Sequence, residues 1–302
     1  MSDPFETHIA VPVKGGALHV ARAGAPPDAA AVVVLAVHGI TASHMAWRAV
    51  ARELSEDSLV CLLAPDLRGR GRSAGLPGPY GIAAHAADLL AVLDHAGAPQ
   101  AVLAGHSMGA HVVARLAADH PARAASVLLF DGGLTIPALP GAWDEDLEAA
   151  AAPASDRMDV AAASADDYVD RWRSHPAFAR AWNDDIEAYV RYDVADDDGG
   201  SARCVVREEA VMADSFELML DGTTRTAATR VSAPVRLLRA SRGVFDDDHP
   251  VISPSALDAF ISARPQTRVE HVAGVNHYTL LLGDSPGPAR AAAAIREAVL
   301  EL

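Results

Sequence analysis

Apolar residues follow two different rhythms along this chain. In residues 1–133, and again from 231 onward, short unbroken apolar runs alternate with longer segments in which apolar residues recur every three or four positions. The run at 31–37 is continuously apolar, as expected of a strand covered on both faces, and 59–64, 101–104, 126–130, 234–240 and 268–272 read as further strands. The segments at 46–54, 82–96, 111–119, 254–263 and 288–301 have helical spacing. Two β-rich pieces, 8–13 and 17–23, flank Gly15-Gly16 and predict a hairpin. Strands alternating with helices predict an α/β fold with a mostly parallel central sheet flanked by helices.

From 134 to 230 the rhythm changes. This stretch is acidic, has helical spacing, lacks convincing buried strands, and holds Trp143, Trp172 and Trp182. The sheet pattern resumes after it. It is therefore expected to be an α-helical cap inserted into a core of 1–133 and 231–302, lying over the strand ends, where open α/β sheets place ligands. The alternative is a separate helical domain with no part in the site.

Composition narrows the function classes. A formal net charge of −15 over 302 residues argues against nucleic acid and anionic membrane surfaces as partners. No apolar stretch reaches the roughly 18–20 residues that span a bilayer. The first residues, Met1-Ser2-Asp3-Pro4-Phe5-Glu6, lack the basic and apolar regions of a secretory signal. Cys61 and Cys204 have no metal or redox spacing, and a cytoplasmic location is expected. The acidic runs Asp196-Asp197-Asp198 and Asp246-Asp247-Asp248 raise the question of a cation. The first reads as a solvated loop, and neither metal nor cofactor is expected.

The chemistry concentrates at Gly105-His106-Ser107-Met108-Gly109, between the apolar run 101–104 and the Ala-rich segment 111–119. A serine forced into a sharp strand-to-helix turn has its hydroxyl pushed outward, and its flanking residues must be small because strand and helix pass closely. A serine hydroxyl is a weak nucleophile: it needs a base, and the base needs an orienting acid. With His38-Gly39, the stretch Asp66-Leu67-Arg68-Gly69-Arg70-Gly71-Arg72-Ser73 and Asn276-His277, the chain resembles the α/β-hydrolase superfamily. The second of these is most similar to the branch containing epoxide hydrolases, cofactor-free haloperoxidases, C–C hydrolases and capped esterases.

That resemblance implies nucleophile, acid and base in the chain order Ser, Asp or Glu, His. Ser107 is the nucleophile it implies, and His277, past the last strand, the base. Asp246, in Gly243-Val244-Phe245-Asp246 after the strand at 234–240, is the expected acid. Asp247 and Asp248 are register alternatives. Asp131, directly after the strand at 126–130, is the competing acid, because some members of the superfamily carry it there. The backbone amides of Ile40 and Met108 are the implied oxyanion donors, His38 is expected to shape the loop carrying Ile40, and Thr41 could add a hydroxyl. At least one of Trp143, Trp172 and Trp182 is expected to face the pocket, along with Tyr278.

Epoxide hydrolases and haloalkane dehalogenases of this fold place an aspartate where Ser107 stands, so serine implies acyl transfer. The expected activity is that of a carboxylesterase-like hydrolase acting on a small to medium ester or lactone through an acyl-enzyme. The alternatives are a C–C (diketone) hydrolase, a cofactor-free perhydrolase, or a ligand-binding protein that keeps the fold without the reaction.

Overall fold

The computed structural model describes residues 3–27, 32–135, 162–196 and 201–302. In it the apolar runs become β1 (Thr7–Val13), β2 (Gly16–Gly24), β3 (Val32–Val37), β4 (Val60–Pro65), β5 (Ala101–His106) and β6 (Ala124–Phe130). The short strands β7 (Val194–Asp196) and β8 (Ala202–Cys204) follow, then β9 (Val235–Ala240) and β10 (Arg268–Val272). Eight of them form one sheet in the order β1-β2-β4-β3-β5-β6-β9-β10. β2 runs antiparallel to both neighbours, and every pairing from β4 to β10 is parallel. The hairpin expected at Gly15-Gly16 forms with Lys14-Gly15 as its turn, Val13 pairing with Gly16.

The two-residue period of a strand sorts the apolar side chains into two layers. Val33, Leu35 and Val37 of β3, Leu103 of β5, Val127 and Leu129 of β6 and Leu237 of β9 face one side. They pack there with Leu89 and Val92 of α2 (Ile82–His95), Val112 and Leu116 of α3 (Met108–Asp119), and Phe260. Val34, Ala36, Val102, Leu128, Phe130 and Leu238 face the other side, against Val50 and Leu54 of α1 (Arg48–Leu54) and a C-terminal helix carrying Ala291, Ala292 and Ile295. Each fully buried Val, Leu or Phe contributes about 1.5–3 kcal/mol. With aromatic residues only 5% of the chain, Ala, Val and Leu supply this packing.

Between β6 and β9 lie helices α4 (Ala165–Arg173), α5 (Asp184–Tyr192), α6 (Glu208–Leu220), α7 (Gly222–Arg225) and α8 (Ala227–Arg230). Besides these helices the insertion holds β7 and β8, which pair as a two-stranded antiparallel ribbon. Their three-residue length leaves almost no periodic signal to read. Two more helices complete the chain, α9 (Pro254–Ala263) and α10 (Pro286–Leu300). Among the described residues no helix is long and apolar enough to cross a membrane.

Candidate active site

Ser107 caps α3 with φ 56° and ψ −122°, a left-handed backbone that a non-glycine residue adopts only where its surroundings hold it. Its N–H is held by the carbonyl of Phe130 at 3.0 Å. The steric expectation for the flanking glycines is met. A Cβ on Gly105 would lie 2.2 Å from the Gly109 carbonyl oxygen, and one on Gly109 would lie 2.3 Å from that of Val37. Any side chain at either position would force strand and helix apart and tilt the serine.

Ser107 lines a cavity of about 270 Å³ together with Gly39, Ile40, Met108, Asp131 and His277. His277 is 5% exposed, and its Nδ1 meets Asp131 Oδ2 at 2.7 Å. A carboxylate can only accept, so Nδ1 carries the proton, and Nε2 is left as the basic nitrogen. Asp131 is fully buried at the end of β6, with φ 47°. Its other oxygen accepts from the Ala240 N–H at 3.2 Å, and its own N–H donates to Leu238 at 2.8 Å. Strands β6 and β9, adjacent in the sheet, thus aim this carboxylate together.

The expectation for Asp246 is corrected here. Its Oδ1 accepts from Arg242 Nε at 2.8 Å, and Asn276 Nδ2 lies 3.4 Å from the same oxygen. Asp247 Oδ1 accepts the His249 N–H at 2.8 Å, and Asp248 Oδ1 pairs with Arg242 Nη1 at 3.0 Å. The loop after β9 therefore folds around Arg242, and the carboxylate at His277 belongs to Asp131.

His38 and His106, also near Ser107, are committed to the frame. His38 donates from Nδ1 to the Gly39 carbonyl at 2.7 Å and accepts the Leu67 N–H on Nε2 at 3.0 Å. With both nitrogens used, it braces the loop carrying Ile40, and burial pushes its pKa down to about 3. His106 donates from Nε2 to the His277 carbonyl at 2.9 Å, with the two rings 4.5 Å apart. Burial holds His106 well below the usual imidazole range. His111, one turn into α3 and on the cavity wall, is pushed down to about 4 by burial.

Met108 opens α3, whose first N–H groups have no acceptor within the helix. Ile40, in the loop after β3, lines the same cavity. That loop is pinned from below: the fully buried Arg70 donates from Nε to the Ile40 carbonyl at 2.9 Å. Arg70 Nη2 also meets Asp214 Oδ2 of α6 at 2.5 Å. Asp214 further accepts from His85 Nε2 at 3.0 Å and the Gly81 N–H at 2.8 Å. Burial alone would raise the Asp214 pKa, yet His85 and Arg70 hold it below the usual carboxylate range.

The insertion walls the cavity with Tyr189, Ser215, Leu218 and Met219, joined by Leu134 and Thr135 at its start. Val244, Val251, Ile252, Leu281 and Leu282 come from the core side, so most of the lining is apolar. Tyr278 is on the wall as expected, and Thr41 lines it too. Trp172 is not. It is 7% exposed and packs against Tyr168, His175 and Phe178, in an apolar cluster continuous with one face of the core. Trp182 lies beside Arg173, whose guanidinium carbon is 5.4 Å from the ring centroid. Trp143, Asp197 and Asp198 lie outside the described residues. Leu218 and Met219 were not among the expected residues, because an aliphatic residue on a helix carries no local mark of which surface the helix docks against. The one available signal was Val211–Ser215–Leu218–Met219, which shares a face of α6.

With this geometry in place, comparison with known proteins gives a consistent answer. Residues 32–284 match the family model described as alpha/beta hydrolase fold, and the chain belongs to that family. Among curated relatives, a lipase of Mycobacterium tuberculosis, LipV, is 35% identical over 155 residues, covering 51% of this chain and 56% of the lipase. Epoxide hydrolase A of the same organism is 39% identical over 134 residues, 44% of this chain and 39% of that enzyme. The matches thus span about half the length of these relatives or less. The crystal structure of an E-2-(acetamidomethylene)succinate hydrolase superposes with a TM-score of 0.76 at 22% identity, covering 98% of this chain and 100% of the other. At that identity the likeness speaks for the fold.

Proposed function

We propose that the protein is a serine hydrolase that cleaves a small to medium carboxylic ester or lactone through an acyl-enzyme on Ser107. The observation that carries this reading is the buried Asp131–His277 hydrogen bond of 2.7 Å on the wall of the cavity that also holds Ser107. Ser107 attacks the acyl carbon as its proton passes to His277 Nε2. Asp131 keeps the imidazole in the tautomer that can receive it and stabilises the imidazolium that results. The oxyanion is received by the N–H groups of Ile40 and Met108, each worth about 3 kcal/mol of barrier. His277 then protonates the leaving group, and a water molecule, deprotonated by His277, releases the acid and restores Ser107.

The mainly apolar cavity favours an acyl or alkoxy group of modest size without charge. The insertion acts as a lid that excludes water and limits chain length through Leu218 and Met219. Fluorophosphonate labelling followed by a panel of aryl esters, lactones and thioesters tests the reading. The label should sit on Ser107, and Ser107→Ala should stay folded while losing both labelling and turnover. A label on another serine, with Ser107 unmodified, overturns it.

A further inference from the structure

Three histidines meet on the side of the molecule formed by the N-terminal hairpin, outside the cavity described above. His8 lies on β1 and His19 on β2. His8 pairs with Ala21 and Ala10 pairs with His19, which places the two imidazoles as diagonal neighbours on one face of the hairpin. Their rings stack with centroids 5.0 Å apart. His44 comes up beneath them from the loop after β3, its ring 5.4 Å from His19 and 5.9 Å from His8. One ligand nitrogen from each of the three lies within 4.8 Å of the others. Nitrogens bound tetrahedrally to one zinc, each about 2.0–2.1 Å from it, stand roughly 3.4 Å apart. Binding would draw the three nitrogens to that spacing by rotation of their side chains, His8 being the exposed one.

Two further features separate this group from ordinary aromatic packing. His19 Nε2 is buried without a hydrogen-bond partner among the described residues, an arrangement that costs about 1–3 kcal/mol unless something satisfies it. His44 Nδ1 is fixed on Asp66 Oδ1 at 2.8 Å, which leaves its Nε2 as the free nitrogen. A carboxylate behind an imidazole is the usual outer support of a metal-bound histidine, because it sets the ring's tautomer and raises its basicity. Asp66 is itself fully held: its Oδ1 also takes the His44 N–H at 2.8 Å, and its Oδ2 takes the Arg72 N–H at 2.9 Å and the Tyr192 hydroxyl at 2.7 Å.

We propose that His8, His19 and His44 bind one divalent transition-metal ion, zinc above all, tying the N-terminal hairpin to the loop after β3. Imidazole nitrogens suit zinc and its neighbours in the first transition row. The charges facing the group are mixed: Asp66 and Asp3 favour a cation, and Arg72 opposes it. The ligand form of histidine is the neutral one. No sequence motif announces the site, since the spacings 8, 19 and 44 match no short metal pattern and only the hairpin register and the loop bring them together.

The test uses untagged full-length protein freed of metal by chelation and titrated separately with cobalt(II) and zinc. One equivalent per chain should bind, with the visible d–d bands of tetrahedral cobalt, and zinc should raise the melting temperature. His8→Ala changes an exposed residue of an edge strand, and it should weaken binding at least about tenfold with folding unchanged. Asp66→Asn, removing the outer support, should weaken it about 10–100-fold if the variant folds. Absence of a stoichiometric metal, or equal affinity in the wild type and His8→Ala, overturns the site.

Discussion

The core rests on apolar layers, whereas the helical insertion meets it through apolar contact and a set of buried charge pairs, and the contrast bears on which parts of the site respond to pH. The core is made of two apolar layers on either face of a parallel sheet, and Ser107, Asp131 and His277 project from its strand ends. The insertion's apolar side chains, among them Tyr168, Trp172 and Phe178, run on into one of those layers, and buried polar clips add to that contact. Asp185 of α5 receives Arg48 Nε at 3.0 Å and is also paired with Arg52. Asp214 of α6 receives Arg70 and His85, and the Tyr192 hydroxyl reaches Asp66. Apolar layers are indifferent to pH and tolerant of small shifts. Buried charge pairs are directional, and they fail when one partner is lost. The chemical groups therefore sit on the stiff part of the molecule, and the cavity roof sits on the part whose attachment can be titrated.

The largest expected effect lies in the core. Asp131→Asn should leave the protein folded and lower turnover by about 10⁴, as when an amide replaces a triad aspartate and the wrong imidazole tautomer is favoured. Steady-state kinetics at matched thermal stability check it, and a loss under tenfold would remove Asp131 from the mechanism. The insertion should respond differently. Asp214→Asn leaves Arg70 and His85 without their anion and should cost about 3–5 kcal/mol of stability, read from denaturant midpoints. The sign of its pH dependence follows from the lowered pKa. The Asp214 contribution is present above the unfolded value, about 3.9, and is lost as pH falls through the lower folded value. The acid limb of the wild-type stability curve should therefore flatten in Asp214→Asn.

Within the insertion the cavity wall and the interior can be told apart. Leu218→Ala should change discrimination between acyl chains by about 1–3 kcal/mol, whereas Trp172→Ala should cost stability and leave chain-length preference in place. Competition assays between short and long esters would show the reverse pattern if Trp172 met substrate. The smallest effect is expected at Asp246→Asn. This residue belongs to a partly exposed ion pair with Arg242, of a kind worth up to about 1 kcal/mol, and turnover should change less than about tenfold.

Legibility from sequence divided along the same line as the forces. Continuous apolar runs such as Val32–Val37 and Ala101–His106 announce buried strands, and the Gly105–Gly109 turn follows from steric limits that act within five residues. The choice between Asp131 and Asp246 was not local. Both follow strands, and both take a positive φ, 47° and 59°. What separates them is that Arg242, four residues away in sequence, captures Asp246, whereas Asp131 receives His277 across 146 positions. The cavity wall was hidden for a related reason. Trp172 and Leu218 are both buried, and only the docking of helices onto the core decides which interior each one enters.

Arg70 makes α6 and the loop carrying Ile40 a single mechanical unit. Its guanidinium grips the Ile40 carbonyl on one side and Asp214 of α6 on the other. An insertion borrowed from a relative to change selectivity would have to bring its own acid to that point, or the peptide presenting the Ile40 region would lose its anchor. Selectivity and rate are thereby coupled in any chimera built at this boundary. Exchange of the roof should therefore be planned as a joint redesign of α6 and the loop at 66–73.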